Sequence, residues 1–325
     1  VIDCAAKERH FLDHLAPVWH ALGDDQGTFW VAPELLARAR KLGIDARGQL
    51  PDSPGPTTLV AAYGDLTRAR RAGRPIIIME HGAGQTYEGV RSGSYITGER
   101  EGVLGVLVPG EHHAAIHRAH HPDVPVHVIG CPKLDRWHTA GPRASTGRTV
   151  AISFHWECKL APEARSAWRH YAKAMPALAG RFDRVIGHGH PRIIRNLAGV
   201  YVSHGFDVLH DFADVLDLAD VYVCDNSSTL FEFASTGRPV VLMNAPWYRR
   251  DIEHGLRFWS HADIGLQCNQ PMELTDTIDR ALADQPEIAA RREQLIDTVY
   301  AHRDGTSATA AANAIRTLAR QEAPA

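Results

Sequence analysis

Residues 221–243 read "VYVCDNSSTLFEFASTGRPVVLM". An apolar, β-prone run gives way to Asp225, Asn226, Ser227 and Ser228, a helical pattern opens at Thr229, and a second apolar run opens at Val240. Strands buried on both faces read as unbroken apolar runs, and parallel sheets covered by helices are built from them. Gly237 with Arg238-Pro239 marks the end of the helix, because glycine tolerates the left-handed closing conformation and proline cannot continue a helix. The segment therefore predicts strand, helix, parallel strand, and the fold class α/β. Its polar turn falls at the carboxyl end of the first strand, where open α/β sheets bind ligands.

The same alternation extends in both directions. Upstream, "VIDCAA", "GTFWVA", "TTLVAAY", "PIIIMEHG", "GVLGVLVPG" and "VPVHVIG" read as strands separated by helical patterns. The segment 138–148, "HTAGPRASTGR", is rich in turn formers and divides the chain. Beyond it come "TVAISFHW", the helical "APEARSAWRHYAKAMPALAG", "FDRVIGHGHP", "FDVLHD" and the opening stretch, then a helical tail from about Met272 to Gln321. Two Rossmann-like doubly wound domains facing each other across a cleft, 1–140 and 148–325, are the expected architecture, with the C-terminal helices belonging to the second.

The chain has 325 residues, 44% hydrophobic and 22% charged, which is more than one core usually serves. Its formal net charge of -3 weighs against a protein that coats nucleic acid or anionic membrane. Cys4, Cys131, Cys158, Cys224 and Cys268 are odd in number and free of C-x-x-C pairs, so reduced thiols rather than disulfides or a zinc knuckle are expected. No run approaches the roughly 20 apolar residues of a membrane span, and no basic leader precedes an apolar core. A cytoplasmic protein, either free or peripheral to a membrane, is the expectation.

Three strand ends carry candidate chemistry. In the opening stretch a helix N-terminus would offer unpaired N–H groups to a phosphate, with Asp225, Asn226, Ser227, Ser228 and Thr229 around it. Capping needs only one of these hydroxyls. In "IIIMEHGAGQTYEG" an apolar strand ends at Glu80-His81-Gly82, where an imidazole can act as general base near neutral pH and Gly82 and Gly84 admit close backbone approach. The alternative is a structural histidine bonded to a loop carbonyl. In "VIGHGHPRI" a strand ends in His188, His190 and Arg192; a protonated His190 beside Arg192 would neutralise a leaving phosphate, while His188 with His190 as metal ligands lacks a completing Cys or carboxylate nearby.

The run "EHHAAIHRAHHPDVPVH" places His113 and His117 four apart on one helix face, and a solvated histidine-rich face is expected there. Phosphate-loop, dinucleotide-binding and nucleophile-elbow motifs are absent, as is any D-x-D pair. A site without metal, built from helix N-termini, His and Arg, is what remains.

Together these motifs resemble the CDP-glycerol glycerophosphotransferase family, the teichoic-acid polymerase-like proteins with a GT-B glycosyltransferase fold. The resemblance runs through "EHGAG", "VIGCPKLDRW", "GHGHP" and "CDNSSTLFEFASTGRPVV", in order, from about residue 75 to 260. It implies that His81 takes the acceptor hydroxyl's proton and that His190 contacts the donor's phosphates. Ser227 and Ser228 would hold the pyrophosphate, Glu232 would reach the ribose, and Ser153 and His155 would line the same cleft. The first domain becomes the acceptor side and the second the donor side. The donor would be a CDP- or UDP-linked substrate, with no separate cofactor, and the acceptor a glycan, polyol phosphate, small metabolite or modified nucleic acid. Glu80 stands where the family has Trp, and "SFHWECK" departs from its Thr-Trp-Arg.

Two other readings compete. A UDP-sugar 2-epimerase-like isomerase would need acid/base carboxylates, for which Glu80, Glu99 and Asp225 are the candidates. A nucleotide-binding module without catalysis would keep donor binding when His81 is removed. Arginines such as Arg249, Arg250 and Arg257 would supply a local basic patch.

Overall fold

The computed structural model describes residues 1–83, 98, 100–141, 147–157, 165–248 and 263–321. Gly84, Glu99, Cys158, Arg249, Arg250 and Arg257 lie outside the described residues. The chain forms two units: one takes the described residues up to Ala140 and those from Thr298 onward, and the other runs from Gly141 to Asp297.

In the first unit β1 (Ile2–Ala6), β2 (Gln26–Val31), β3 (Ala46–Arg47), β4 (Thr58–Val60), β5 (Ile76–Met79), β6 (Val103–Val108) and β7 (Val126–Val128) form one sheet in the order β3-β2-β1-β4-β5-β6-β7. Every pairing is parallel. The unit also holds α1 (Arg9–Leu22), α2 (Leu36–Lys41), α3 (Tyr63–Arg71), α4 (Glu111–His120) and α5 (Asp135–Ala140). Ile77 and Met79 join Leu12, Leu15 and Phe29 in one core, while Ile76 and Ile78 join Leu66 and Ala114 in another. Both sheet faces are thus covered, which is why β5 is apolar at every position.

The second unit repeats the plan. β8 (Thr149–Phe154), β9 (Arg184–Gly189), β10 (Asp207–Val208), β11 (Val221–Cys224), β12 (Val240–Met243) and β13 (Leu266–Cys268) form an all-parallel sheet in the order β10-β9-β8-β11-β12-β13. Its helices are α6 (Trp168–Tyr171), α7 (Ile194–Ser203), α8 (Phe212–Leu218), α9 (Thr229–Ala234), α10 (Leu274–Leu282) and α11 (Pro286–Val299). In each sheet the strand order reverses where the fourth strand of the unit joins the first. Those switch points, β1/β4 and β8/β11, are where a doubly wound sheet opens a crevice at its carboxyl edge.

Three expectations are corrected. The last helix, α12 (Ser307–Gln321), belongs to the first unit, where Ala311, Ile315 and Leu318 enter the core with Leu12 and Leu15. Its tethers explain why. Asp135 accepts hydrogen bonds from the N–H groups of Ser307 and Ala308 at 3.1 and 2.8 Å, capping the helix start. Arg316 donates to Asp25 at 2.7 Å and to the Leu22 carbonyl at the end of α1 at 3.0 Å. Gly130, at φ 76°, leaves no room for a Cβ against the Ala301 carbonyl. The segment "GCPKLD" is therefore a clasp for α12. Second, the long helix expected from residue 161 to 180 is, where described, the four-residue α6 followed by a 3-10 stretch, Ala172–Leu178, containing Pro176. Proline lacks the N–H an α-helical turn requires. Third, His113 and His117 are buried at 0% and 1% exposure rather than solvated.

Candidate functional site

In the first unit His81 lies two residues beyond β5. Its Nδ1 donates to the carbonyl of Ala61, just past β4, at 2.6 Å. A carbonyl can only accept, so the neutral ring carries its proton on Nδ1 and its lone pair on Nε2. Gly82 follows at φ 87°, a backbone state that disfavours any side chain, and turns the chain sharply after the imidazole. Phe11 of α1 meets the His81 ring edge-on with centroids 4.5 Å apart, and the rings of His10 and His14 lie 5.5 and 6.3 Å away.

His10 and His14 were not singled out from sequence. Their signal is a histidine pair four apart on the helix that follows the first strand, hence on one face at the switch point. His14 is buried, and burial, with the positive fields of Lys133, His81 and His10, holds its imidazole well below the usual range. It packs beside His81 as a neutral ring.

Behind His81, α4 grips the turn through two buried imidazoles. His117 Nε2 bonds Glu80 Oε1 at 2.9 Å, and His113 Nε2 bonds the Ala83 carbonyl at 3.3 Å. Burial pushes His113 down to about 4 from 6.5, against the opposing pull of Glu80. The unfolded chain takes up this proton near 6.5 and the folded chain resists it, so the stability from this group is complete above that value and is lost as pH falls toward 4. Denaturant unfolding is expected to weaken by on the order of 2 kcal/mol between pH 7 and 5 from this group. His113→Gln should flatten that slope; an equally steep slope in the variant would assign the pH dependence elsewhere.

In the second unit the residues gather at β8/β11. Asp225 is buried, and its two carboxylate oxygens accept from the His155 N–H at 2.8 Å and the Ala167 N–H at 2.9 Å. Burial raises its pKa to about 6 despite these bonds. The expected ligand contact is corrected to a brace: Asp225 ties the chain after β8 and the approach to α6 onto the end of β11. Ser153 is likewise buried. Tyr222 OH meets Thr229 Oγ1 at 2.8 Å, and Thr229 Oγ1 meets Ser227 Oγ at 2.9 Å. This hydroxyl relay, Tyr222 to Thr229 to Ser227, fixes the turn from beneath. Tyr222 was missed because in "VYVC" it reads as one more β-former.

Ser228 takes the N-cap position of α9 but makes no side-chain cap bond. Asn226, Ser227 and Ser228 are half-buried, and among the described residues no backbone acceptor pairs with the N–H groups of Ser227 and Ser228. The helix is only six residues long, so these local groups rather than a long macrodipole face the crevice. Glu232, on the same helix, is 1% exposed.

His190 lies just past β9, its N–H bonded to the Phe154 carbonyl at 3.1 Å. Its Nδ1 accepts the Arg192 N–H at 3.2 Å, so the neutral ring carries its proton on Nε2. The His155 and Trp156 rings stand 5.5 and 5.9 Å from it, and the Arg192 guanidinium lies 4.6 Å above Trp156. A groove of ≈ 430 Å³, lined by Trp156, Trp168, Arg192 and Asn196, opens beside them. His188, by contrast, is buried and donates from Nδ1 to the Leu209 carbonyl at 2.8 Å, a brace between β9 and the chain after β10. His155, His190, Arg192 and the 226–229 turn thus share one strand edge, while Ser153, His188 and Asp225 support it from inside. Among the described residues no group of three His, Cys, Asp or Glu side chains is arranged to hold a metal ion, and no helix is long and apolar enough to cross a membrane.

Two all-parallel doubly wound units, each with a switch point in its strand order, make this a protein of the GT-B fold. The wall teichoic acid polymerase TagF superposes with a TM-score of 0.64 at 12% identity, over 99% of this chain and 89% of that one. A putative UDP-N-acetylglucosamine 2-epimerase from Listeria monocytogenes gives 0.65 at 12% over 99% and 97%. A UDP-GlcNAc 2-epimerase from Neisseria meningitidis bound to UDP-GlcNAc gives 0.65 at 13% over 98% and 99%. Among curated proteins none matches the chain in sequence. The resemblance read from the motifs is borne out by the family model of CDP-Glycerol:Poly(glycerophosphate) glycerophosphotransferase, which matches residues 183–317. That match contains the His190 and 225–229 edge.

Proposed function

We propose that the protein is a transferase that moves a glycerophosphate or sugar group from a CDP- or UDP-linked donor to a hydroxyl acceptor, with no resident metal or cofactor in the step. The observation that carries this reading is the opposite proton assignment of two histidines. His81 keeps its lone pair on Nε2 and is set to take a proton; His190 keeps its proton on Nε2 and is set to give a hydrogen bond. In the reaction His81 Nε2 removes the hydroxyl proton as the acceptor oxygen bonds to phosphorus or to the anomeric carbon. The bond from that centre to the departing nucleoside phosphate breaks. The charge that develops on the leaving group is met by His190 Nε2–H, Arg192, Ser228 Oγ and the N–H groups of Ser227 and Ser228.

The epimerase reading is favoured by the structural likeness to two such enzymes. Two of its three candidate carboxylates are committed elsewhere, Glu80 to His117 and Asp225 to backbone N–H groups. Isomerised sugar formed with no acceptor present would decide for it.

The test is a thermal-shift screen of CDP-, UDP-, GDP- and TDP-linked donors, followed by turnover with hydroxyl acceptors. A ligand that binds only the folded state at a hundred times its Kd adds about 2.7 kcal/mol of apparent stability. No donor-dependent shift at millimolar concentration would sink the reading. Ser228→Ala is expected to weaken donor binding about 10- to 100-fold, the loss of one hydrogen bond to a charged group, with fold stability unchanged because Ser228 Oγ makes no cap bond. Unaltered donor affinity in that variant would remove Ser228 from the site.

A further inference from the structure

The turn that carries His81 is held at three points. Glu80 ends the β5 ladder, its N–H bonded to the Leu107 carbonyl at 3.0 Å, and its side chain bonds His117 Nε2 at 2.9 Å with both side chains at most 1% exposed. His81 Nδ1 holds the Ala61 carbonyl, and the Ala83 carbonyl holds His113. His113 and His117, one turn apart on α4, thus grip the residues on either side of His81-Gly82. An ionisable pair this deeply buried costs desolvation that apolar residues of the same volume would avoid, so bulk stability is a poor reason for its presence. Misplacing a catalytic group by about 1 Å can cost 10²-fold in rate, so a rigid mount for the base has a functional return.

We infer that Glu80 and His117 form a positioning pair that orients His81, acting through the Glu80–His81–Gly82–Ala83 turn without touching substrate. The inference rests on His81 being the base. Removing the carboxylate frees the turn and lets the His81 ring leave the Ala61 carbonyl. Losing either partner breaks the same bond, so the two losses do not add.

The experiment uses the full chain and two readouts. The first is kcat and donor KM for Glu80→Ala, His117→Ala, the double variant and the conservative Glu80→Gln, whose amide oxygen can still accept from His117. The expected result is a fall in kcat of about 10- to 100-fold in both alanine variants and no further fall in the double variant, with KM within about twofold and Glu80→Gln within about threefold of the parent. The second is histidine nitrogen NMR with the His81 signal assigned by His81→Gln: the parent should show the Nδ1–H form, Glu80→Ala a mixture of tautomers, and Glu80→Gln the parent pattern. Unchanged kcat and an unchanged His81 tautomer in Glu80→Ala would overturn the inference, as would equal loss in Glu80→Gln with its fold intact. If the alanine variants do not fold, Glu80→Met and His117→Met, which remove the bond but fill its space, carry the same comparison against Glu80→Gln. Absence of turnover in the parent would refute the transferase reading and leave the NMR comparison standing as the test of the pair.

Discussion

His81→Gln is expected to lower turnover by about 10²- to 10⁴-fold while leaving donor affinity within about twofold. The substitution keeps a side chain of similar length but removes the basic nitrogen. In the folded protein that nitrogen is Nε2, because Nδ1 is engaged with the Ala61 carbonyl. The residues proposed to hold the donor lie in the other unit, on the β8, β9 and β11 ends, so on that reading binding and turnover should separate. His190→Gln should do the reverse in part, weakening donor binding as well as rate, since its Nε2–H is assigned to the donor phosphates. Measuring donor Kd by calorimetry and kcat by product release on the same preparations checks both. Equal loss of Kd and kcat in His81→Gln would refute its role as the base, and full activity would remove it from the reaction altogether.

Asp225→Ala should cost about 2–4 kcal/mol of stability in the second unit, because it strands the buried N–H groups of His155 and Ala167 and opens a cavity. Asp225→Asn retains one acceptor but turns an amide N–H₂ toward the other donor, and should cost less. The pH dependence separates the two causes. The Asp225 pKa is raised from 3.8 to about 6, so its contribution is fully present below 3.8 and is lost as pH rises through about 6. The penalty of Asp225→Asn, whose side chain does not titrate, should therefore shrink between pH 4 and 7. This slope has the opposite sign to that of His113, and the variants distinguish them. Chemical denaturation of parent and variants at both ends of that range is the measurement; a penalty that grows with pH would mean the carboxylate is stabilised by its donors in the ionised form.

The fold was legible because its signals are local. Unbroken apolar runs such as "IIIM" and "VYVC" state that both sheet faces are covered, and turn residues at regular intervals state where each strand discharges. The strand ends carrying His81, His190 and Ser227-Ser228 follow from the same reading, since ligand crevices of such sheets lie at carboxyl ends. The support beneath those ends was not legible. Asp225 and Ser153 read as ligand groups because an acidic or hydroxyl residue at a strand end looks the same whether it points outward or inward. His113 and His117 read as solvated because helical periodicity counts histidine as polar, and only a partner distant in sequence, Glu80 or the Ala83 carbonyl, makes its burial tolerable.

The α/β class, the two blocks and the strand ends that bear the candidate chemistry could be read from the chain alone, because each depends on periodicity and turn residues within a short window. Which unit takes α12 is set by long-range contacts, since an amphipathic helix does not say which sheet it covers and its tethers, Asp135 and Asp25, lie far away in the chain. The tautomers of His81 and His190 likewise follow from folded contacts, the Ala61 carbonyl from a neighbouring strand end and a backbone turn that places the Arg192 N–H. A proton on one ring nitrogen or the other is what divides a base from a donor, and it is fixed by hydrogen bonds that exist only once the chain has folded.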